Sequence, residues 1–328
     1  MTPWRYVAAL VAVVVSTCAA AQEYPSRTIQ VIVPNAAGSW DDSVSRIVFQ
    51  KLEQVLGQSL IIINRPNALG MLALDECMRS DGDGYTLCQG NFGHMVVLVA
   101  ASMAAGENPP YDPGKRLAPI GQIAETQYAF VSGPSFPGAT FDTIAANVRR
   151  GKKAPLFATQ GPFAVLAAEI LKSVLGIDIV KVAYGNGGDA QAMNDLVAGN
   201  VDLKVGAVLT IKPFLESGKC TVLGVFAGRG RSEQLAYVPT MHELGYSEFD
   251  LLSSWSALWT PKTTPDAIIR KLNTALNVAL RDPSVQASLE NLGVTTRPGP
   301  PGQPTELRKV IPPLAEFIRE HNIKLFGK

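Results

Sequence analysis

Charge is scarce in this 328-residue chain: Asp, Glu, Lys and Arg together make up 17% of it. The 29 basic and 28 acidic residues leave a formal net charge of +1. Nucleic-acid binding needs a basic face or stripe, so no nucleic-acid partner is expected. Histidine is rarer still, and His94, His242 and His321 stand too far apart for metal-ligand spacing. No Gly-x-Ser-x-Gly elbow occurs, and no enzyme is expected. Long apolar runs are missing although 47% of the residues are hydrophobic. The longest, Val7 to Val15, is about nine residues, where a membrane-spanning helix needs about 20. Low-complexity tracts are absent too, with 29 Gly and 23 Pro as ordinary punctuation. The length predicts two domains.

The N-terminus explains part of the apolar surplus. Arg5, the run Val7–Val15 and the small residues Ala19-Ala20-Ala21 form the pattern of a secretory signal peptide over residues 1–21, cut before Gln22. A rival reading places a lipid on Cys18, since Val15-Ser16-Thr17-Cys18 echoes a lipobox, but Thr17 is bulky for its position. Cleavage removes Arg5 and no acid, which leaves 28 charges of each sign. The expected protein is exported, soluble and electrically neutral, with Cys77, Cys88 and Cys220 in an oxidising compartment. Cys77 near a helix end and Cys88 in the following strand, joined by Ser80-Asp81-Gly82-Asp83-Gly84, are expected to form a disulfide. Cys220 reads as a small buried residue.

Strands and helices alternate along the chain. A strand from Thr28 to Val33 precedes a helix from Asp42 to Leu56, in which Val44, Ile47, Val48, Leu52, Val55 and Leu56 recur at helical spacing. Strands follow at Leu60–Ile63 and Tyr85–Gln89, with a helix around Met71–Met78 between them. The unit restarts with a strand at Leu156–Ala158, a helix at Phe163–Leu175, a strand at Ile179–Val182 and a helix at Asp189–Ala198. Later come strands at Leu203–Val208, Thr221–Phe226 and Ser254–Trp259, and helices at Pro265–Arg281 and Pro304–His321. The predicted fold class is α/β: two parallel-rich α/β domains joined by crossing strands. The first domain is expected to take residues 22–125 and 229–290, the second 126–228 and 291–328.

Three strand-to-helix loops share small residues: Pro34-Asn35-Ala36-Ala37-Gly38-Ser39, Thr159-Gln160-Gly161 and Gly185-Asn186-Gly187-Gly188. Small side chains admit a ligand to the backbone, and a helix start offers unpaired N–H groups and a positive dipole end. Packing alone also places small residues in such loops. Gly185-x-Gly187-x-x-Ala190 matches a dinucleotide fingerprint, but no acid ends the next strand and no cofactor is expected. Asp81-Gly82-Asp83-Gly84 lacks the closing Glu of a calcium loop and reads as a turn.

An ordered series of short motifs then carries a resemblance. Tyr24-Pro25-Ser26-Arg27-Thr28-Ile29, Ile32-Val33-Pro34 and the Ala37-Gly38 loop closing at Asp42 come first. Asn64-Arg65-Pro66, Asp83-Gly84-Tyr85-Thr86-Leu87 and Tyr111-Asp112-Pro113 follow. Asp195-Leu196-Val197-Ala198-Gly199, Val238-Pro239-Thr240 and Trp255-x-Ala257-Leu258 with Thr264-Pro265 complete it. From Tyr24 onward the chain resembles the Bug-type solute receptors of tripartite tricarboxylate transporters. The resemblance implies a clamshell periplasmic binding protein that holds a small carboxylated solute between two domains and delivers it to a two-subunit membrane permease. A monomer is expected.

Carried over by position, the first-domain grip falls on Ala37, Gly38, Ser39, Trp40 and Asp42, with Asn91 and Gly93 on the same side. The second domain would contribute Thr159, Gln160, Gly161, Tyr184, Asn186, Gly187 and Asp189. The chain departs from the family pattern at Asn35-Ala36, where Phe-Pro is usual, at Ser39 for the second Gly, and at Gly185 where a cation is frequent. Without that cation a second charged carboxylate is harder to hold, and Trp40 is suited either to stack on a flat solute or to pack at the cleft rim. Asp42 has a competing role as a helix cap. An alternative function is a ligand-presenting sensory protein that acts on a signalling ectodomain.

Overall fold

A computed structural model describes residues 23–66, 68–107, 112–136, 138–185, 188–226, 235–302 and 307–325. The expected signal peptide, Cys18, Asn186 and Gly187 lie outside the described residues.

Strand β1 (Ile29–Val33), buried at four of its five positions, leads through a short loop into α1 (Trp40–Leu56). Val44, Val48, Phe49 and Leu52 form the buried stripe of α1, which begins two residues earlier than its apolar spacing predicts. Ser39 caps it, accepting from the Asp42 N–H at 3.3 Å, and Gly57 ends it in a left-handed conformation. β2 (Leu60–Asn64), α2 (Met71–Arg79) and β3 (Thr86–Asn91) follow, with β2 and β3 parallel to β1 on its two sides. A disulfide joins Cys77 of α2 to Cys88 of β3 across a Cα–Cα distance of 6.0 Å, and Cys220 is free and buried. After β3 the chain turns through a π-helical segment, Gly93–Val97, into α3 (Leu98–Ala104). These two are buried on nearly every side, so no helical period marked them in the sequence.

A short α4 (Pro113–Arg116) leads to β4 (Leu117–Thr126), and Gln127 alone separates it from β5 (Tyr128–Ser132). That residue is the crossing point: β4 lies in one sheet and β5 in the other. The second sheet is then filled by α5 (Phe141–Arg149), β6 (Leu156–Thr159), α6 (Pro162–Leu175), β7 (Val180–Ala183), α7 (Asp189–Ala198), β8 (Leu203–Ala207), α8 (Val208–Glu216) and β9 (Thr221–Val225). The chain returns to the first sheet with β10 (Trp255–Pro261), α9 (Asp266–Leu280), α10 (Pro283–Glu290), β11 (Val294–Thr296) and α11 (Leu307–Glu320).

The strand orders are β11-β4-β10-β3-β1-β2 and β7-β6-β8-β5-β9. Strands linked through helices pair parallel, whereas β10 against β3 and β4, and β5 against β8 and β9, run antiparallel. Each sheet is therefore mixed, because a strand that arrives from the other sheet needs no crossover helix to set its direction. Two boundaries differ from the sequence reading. β11 pairs with β4 in the first sheet and α11 packs on α3, although 291–328 was expected in the second domain. Residues 235–251 were expected in the first, yet Val225 N–H donates to Pro239 O and Met241 N–H to Val225 O, at the edge of the second sheet. One core cluster runs through both domains, from Ile32 and Phe92 to Phe163 and Phe130.

Candidate functional site: an interdomain cleft

Strands β1, β3, β6 and β8 all end at one cleft between the sheets. In an open α/β sheet the strand ends and following helix starts leave such a crevice. The cleft holds about 490 Å³ of empty space, counting the part that opens to solvent. One wall is Asn35, Ser39, Trp40 and Asp41 after β1, with Asn91 and Gly93 after β3. The other is Gln160 to Ala164 after β6, Asp189 at the start of α7, and Gly206-Ala207 at the end of β8. Tyr128, just past the crossing residue, lies between them.

The first wall is organised around Gln89, buried in β3. Its side-chain amide donates to Ser256 Oγ at 2.6 Å and reaches Asp41 Oδ1 at 3.3 Å, while Ser45 Oγ donates to Gln89 Oε1 at 2.7 Å. Asn91 Nδ2 donates to Asp41 Oδ2 at 2.7 Å. Asp41 is 3% exposed and no cation is bonded to it among the described residues. Burial raises its carboxyl to about 6, against the pull of the Asn91 and Ser256 hydrogen bonds. Asp42, one residue on, is engaged away from the cavity. Its carboxylate accepts from Gly38 N–H at 2.9 Å, from Arg46 at 2.8 and 2.9 Å, and from Asn64 at 3.0 Å. Burial opposes its ionisation, but those bonds hold its pKa below the ordinary value.

The second wall is built on a buried ion pair. Lys204, fully buried in β8, donates to Asp189 Oδ1, and Gln160 Nε2 donates to Val205 O and to the same Asp189 oxygen. A Cβ at Gly206 would lie 2.6 Å from Lys204 Nζ, so a side chain there would displace the lysine end of the pair. Gly161 precedes α6 with φ 149 and ψ 177, a region open essentially to glycine alone, and offers that helix no side-chain cap. Trp40, Tyr128 and Phe163 bridge the walls edge to face, with ring centroids 6.5 Å apart for Trp40–Tyr128 and 4.6 Å for Tyr128–Phe163. Burial and the two nearby carboxylates Asp41 and Asp189 push the Tyr128 hydroxyl well above its usual pKa, so it stays neutral. Among the described residues no group of three or more His, Cys, Asp or Glu is placed to hold a metal. No helix there is long and apolar enough to cross a membrane.

Of the residues singled out in the sequence, Ser39, Trp40, Asn91, Gly93, Gln160, Gly161 and Asp189 meet at this cavity. Ala37 and Gly38 are exposed and do not line it, and Asp42 closes its own loop. Thr159 Oγ1 turns to Val182 O at 3.4 Å within the sheet, and Tyr184 donates to Asp195 at 2.7 Å. Sequence reasoning missed Asn35, Asp41, Tyr128 and Lys204. For Lys204 a signal existed: a lysine inside the apolar run Leu203–Val208 demands a buried acid. For Asp41 the sequence offered two adjacent acids and nothing to rank them.

The model of the family described as tripartite tricarboxylate transporter family receptor matches residues 44–305. A UPF0065 protein of the TAR-I ttuE–ttuC' intergenic region from Agrobacterium vitis is 33% identical over 293 residues, which is 88% of this chain and 82% of the relative. Protein BugT of Bordetella pertussis is 30% identical over 277 residues, 84% of this chain and 83% of its own. Among solved structures, the periplasmic binding protein BugD superposes with a TM-score of 0.81 at 26% identity, over 92% of this chain and 99% of that one. Rpa4515 of R. palustris, solved with adipate, has a TM-score of 0.80 at 25% identity, over 92% and 99%. MatC of Rhodopseudomonas palustris, solved with malate, has 0.75 at 28%, over 91% and 97%. Fold, cleft and a family match over most of its length agree, and the chain belongs to the receptors of the tripartite tricarboxylate transporter family.

Proposed function

We propose that the protein is a periplasmic receptor that captures a small carboxylated metabolite in the interdomain cleft and hands it to a two-subunit membrane permease, without catalysing a reaction. The observation that carries this is the cleft itself: small residues and helix starts from both domains meet on one cavity. The start of α6, uncapped by any side chain, suits a carboxylate through backbone N–H groups and the helix dipole. Adipate and malate in two similar receptors support the class of solute. Binding favours a closed form touched by both walls, and a permease recognises that form. The disulfide between Cys77 and Cys88 fits the oxidising periplasm, where the receptor acts as a monomer. Ser39, Trp40, Asn91, Gly93, Gln160, Gly161 and Asp189 are the proposed contacts. Titration calorimetry against aliphatic and aromatic carboxylates tests the reading: a dissociation constant below millimolar for at least one is expected, and none would overturn it.

A further inference from the structure

The residues that line the cavity hold two buried acceptors and one buried donor, Trp40 Nε1, without a partner in the protein, and one carboxylate without a cation. Asp41 carries a carboxylate there, held by two side-chain amides and no cation. Asn35, 7% exposed, lines the same cavity, and its buried Oδ1 has no hydrogen-bond partner within the protein. Gln160 Oε1 on the facing wall is likewise buried and unpartnered, its amide nitrogen being spent on Val205 and Asp189. The other charges at the cleft cancel, since Asp189 is paired with Lys204. A buried carboxylate without a counter-charge is costly, and unpaired buried acceptors add to that cost. A solute that only brought more negative charge would leave all three oxygens worse placed. One that brings a positively charged donor satisfies them.

We infer that the solute carries a protonated nitrogen as well as a carboxylate, and that Asp41 receives the ammonium, with Asn35 Oδ1 and Gln160 Oε1 as further acceptors. This rests on the receptor reading above, in which the start of α6 takes the carboxylate end. The cleft then presents a donor end and an acceptor end, a match for a zwitterionic amino acid or amino carboxylate.

Calorimetry with acids matched in pairs tests it: propanoate and β-alanine, butyrate and 4-aminobutyrate, pentanoate and 5-aminopentanoate, benzoate and 4-(aminomethyl)benzoate. In at least one pair the amine-bearing member is expected to bind tenfold or more tighter, and Asp41→Asn to erase that difference. Should the variant not fold, the wild type serves. Asp41 is faced by Asp42 with its partner Arg46, by Asp189 with Lys204, and by the neutral Tyr128, and its carboxyl rises to about 6. Affinity for the amine-bearing acid should therefore weaken about fourfold between pH 7.5 and 5.5, as Asp41 takes up its proton. If the amine-free members bind below millimolar and as tightly as their partners in every pair, or gain affinity as pH falls, this inference is overturned while the receptor reading stands. If no acid of either kind, nor adipate or malate, binds below millimolar, both fall.

Discussion

Asp41 and Asp42 share a peptide bond and belong to different neighbourhoods: Asn91 donates to Asp41 Oδ2 at 2.7 Å, and Arg46 donates to Asp42 Oδ1 at 2.8 Å. A helix turns about 100° per residue, so two neighbours in its first turn necessarily point to different sides. One faces the cleft and the strand β3. The other faces its own loop and locks it. Their protonation is biased in opposite directions, which makes the pair separable by pH.

Asp41 is the destabilising member. Its folded carboxyl, at about 6, lies above the unfolded value of 3.8, so ionisation costs the fold and stability declines as pH rises through that interval. Asp41→Asn should raise the stability of the solute-free protein at pH 7.5 by about 1–3 kcal/mol, a gain of several degrees in Tm. At pH 4 the gain should be close to zero. Scanning calorimetry at both values checks it, and a lower Tm at pH 7.5 would be the contrary result.

Asp42 is the stabilising member. Its folded pKa is lowered, so its contribution is present above the unfolded value and is lost as pH falls through the folded one. Arg46 is half exposed, and solvent weakens that pair, but the Gly38 and Asn64 bonds are local and part-buried. Asp42→Asn should lower stability by about 1–2 kcal/mol at pH 7. The deficit should narrow toward pH 3, the reverse of the Asp41 trend.

These two residues also mark how far the sequence could be read. The βαβ units were visible because their strands are apolar runs and α1 has a clear helical stripe of Val44, Val48 and Leu52. The π-helix and α3 were invisible, since Gly93 to Ser102 is buried throughout and burial on all sides erases periodicity. α8 was hidden by Pro213, a residue that argues against a helix interior. The small-residue loops pointed to the cleft, because glycine next to a helix start has a local physical cause. What long-range pairing decides was not legible: that Gln89 selects Asp41, that Asp189 meets Lys204 from 15 residues away, and that Tyr128 lies at the crossing.

The Lys204–Asp189 pair gives the third expectation. Lys204 has no exposed surface, so removing its charge strands Asp189 at the cleft edge. Lys204→Met should cost about 3–5 kcal/mol, because the remaining carboxylate is buried without a partner. Adding Asp189→Asn should recover more than half of the loss, since no unpaired charge then remains. Urea denaturation of the two single variants and the double variant measures the coupling. Additive losses would show that the pair does not act as a unit.

Gly161 gives the last, and it separates backbone conformation from side-chain bulk. With φ 149 and ψ 177 it holds the chain in a region that L-residues avoid, just where β6 hands over to α6 and the backbone lines the cavity. Gly161→Ala should destabilise by about 1–3 kcal/mol, or rotate the loop to escape the strain. Either outcome displaces the first turn of α6, and the affinity for a bound carboxylate should fall at least tenfold. A D-alanine introduced at the same position by semisynthesis adds the same methyl group. Its allowed region is the mirror image, so φ 149 and ψ 177 become ordinary extended backbone for it. Retained stability with D-alanine and loss with L-alanine would assign the requirement to conformation. Equal loss with both would assign it to the space that the methyl group fills.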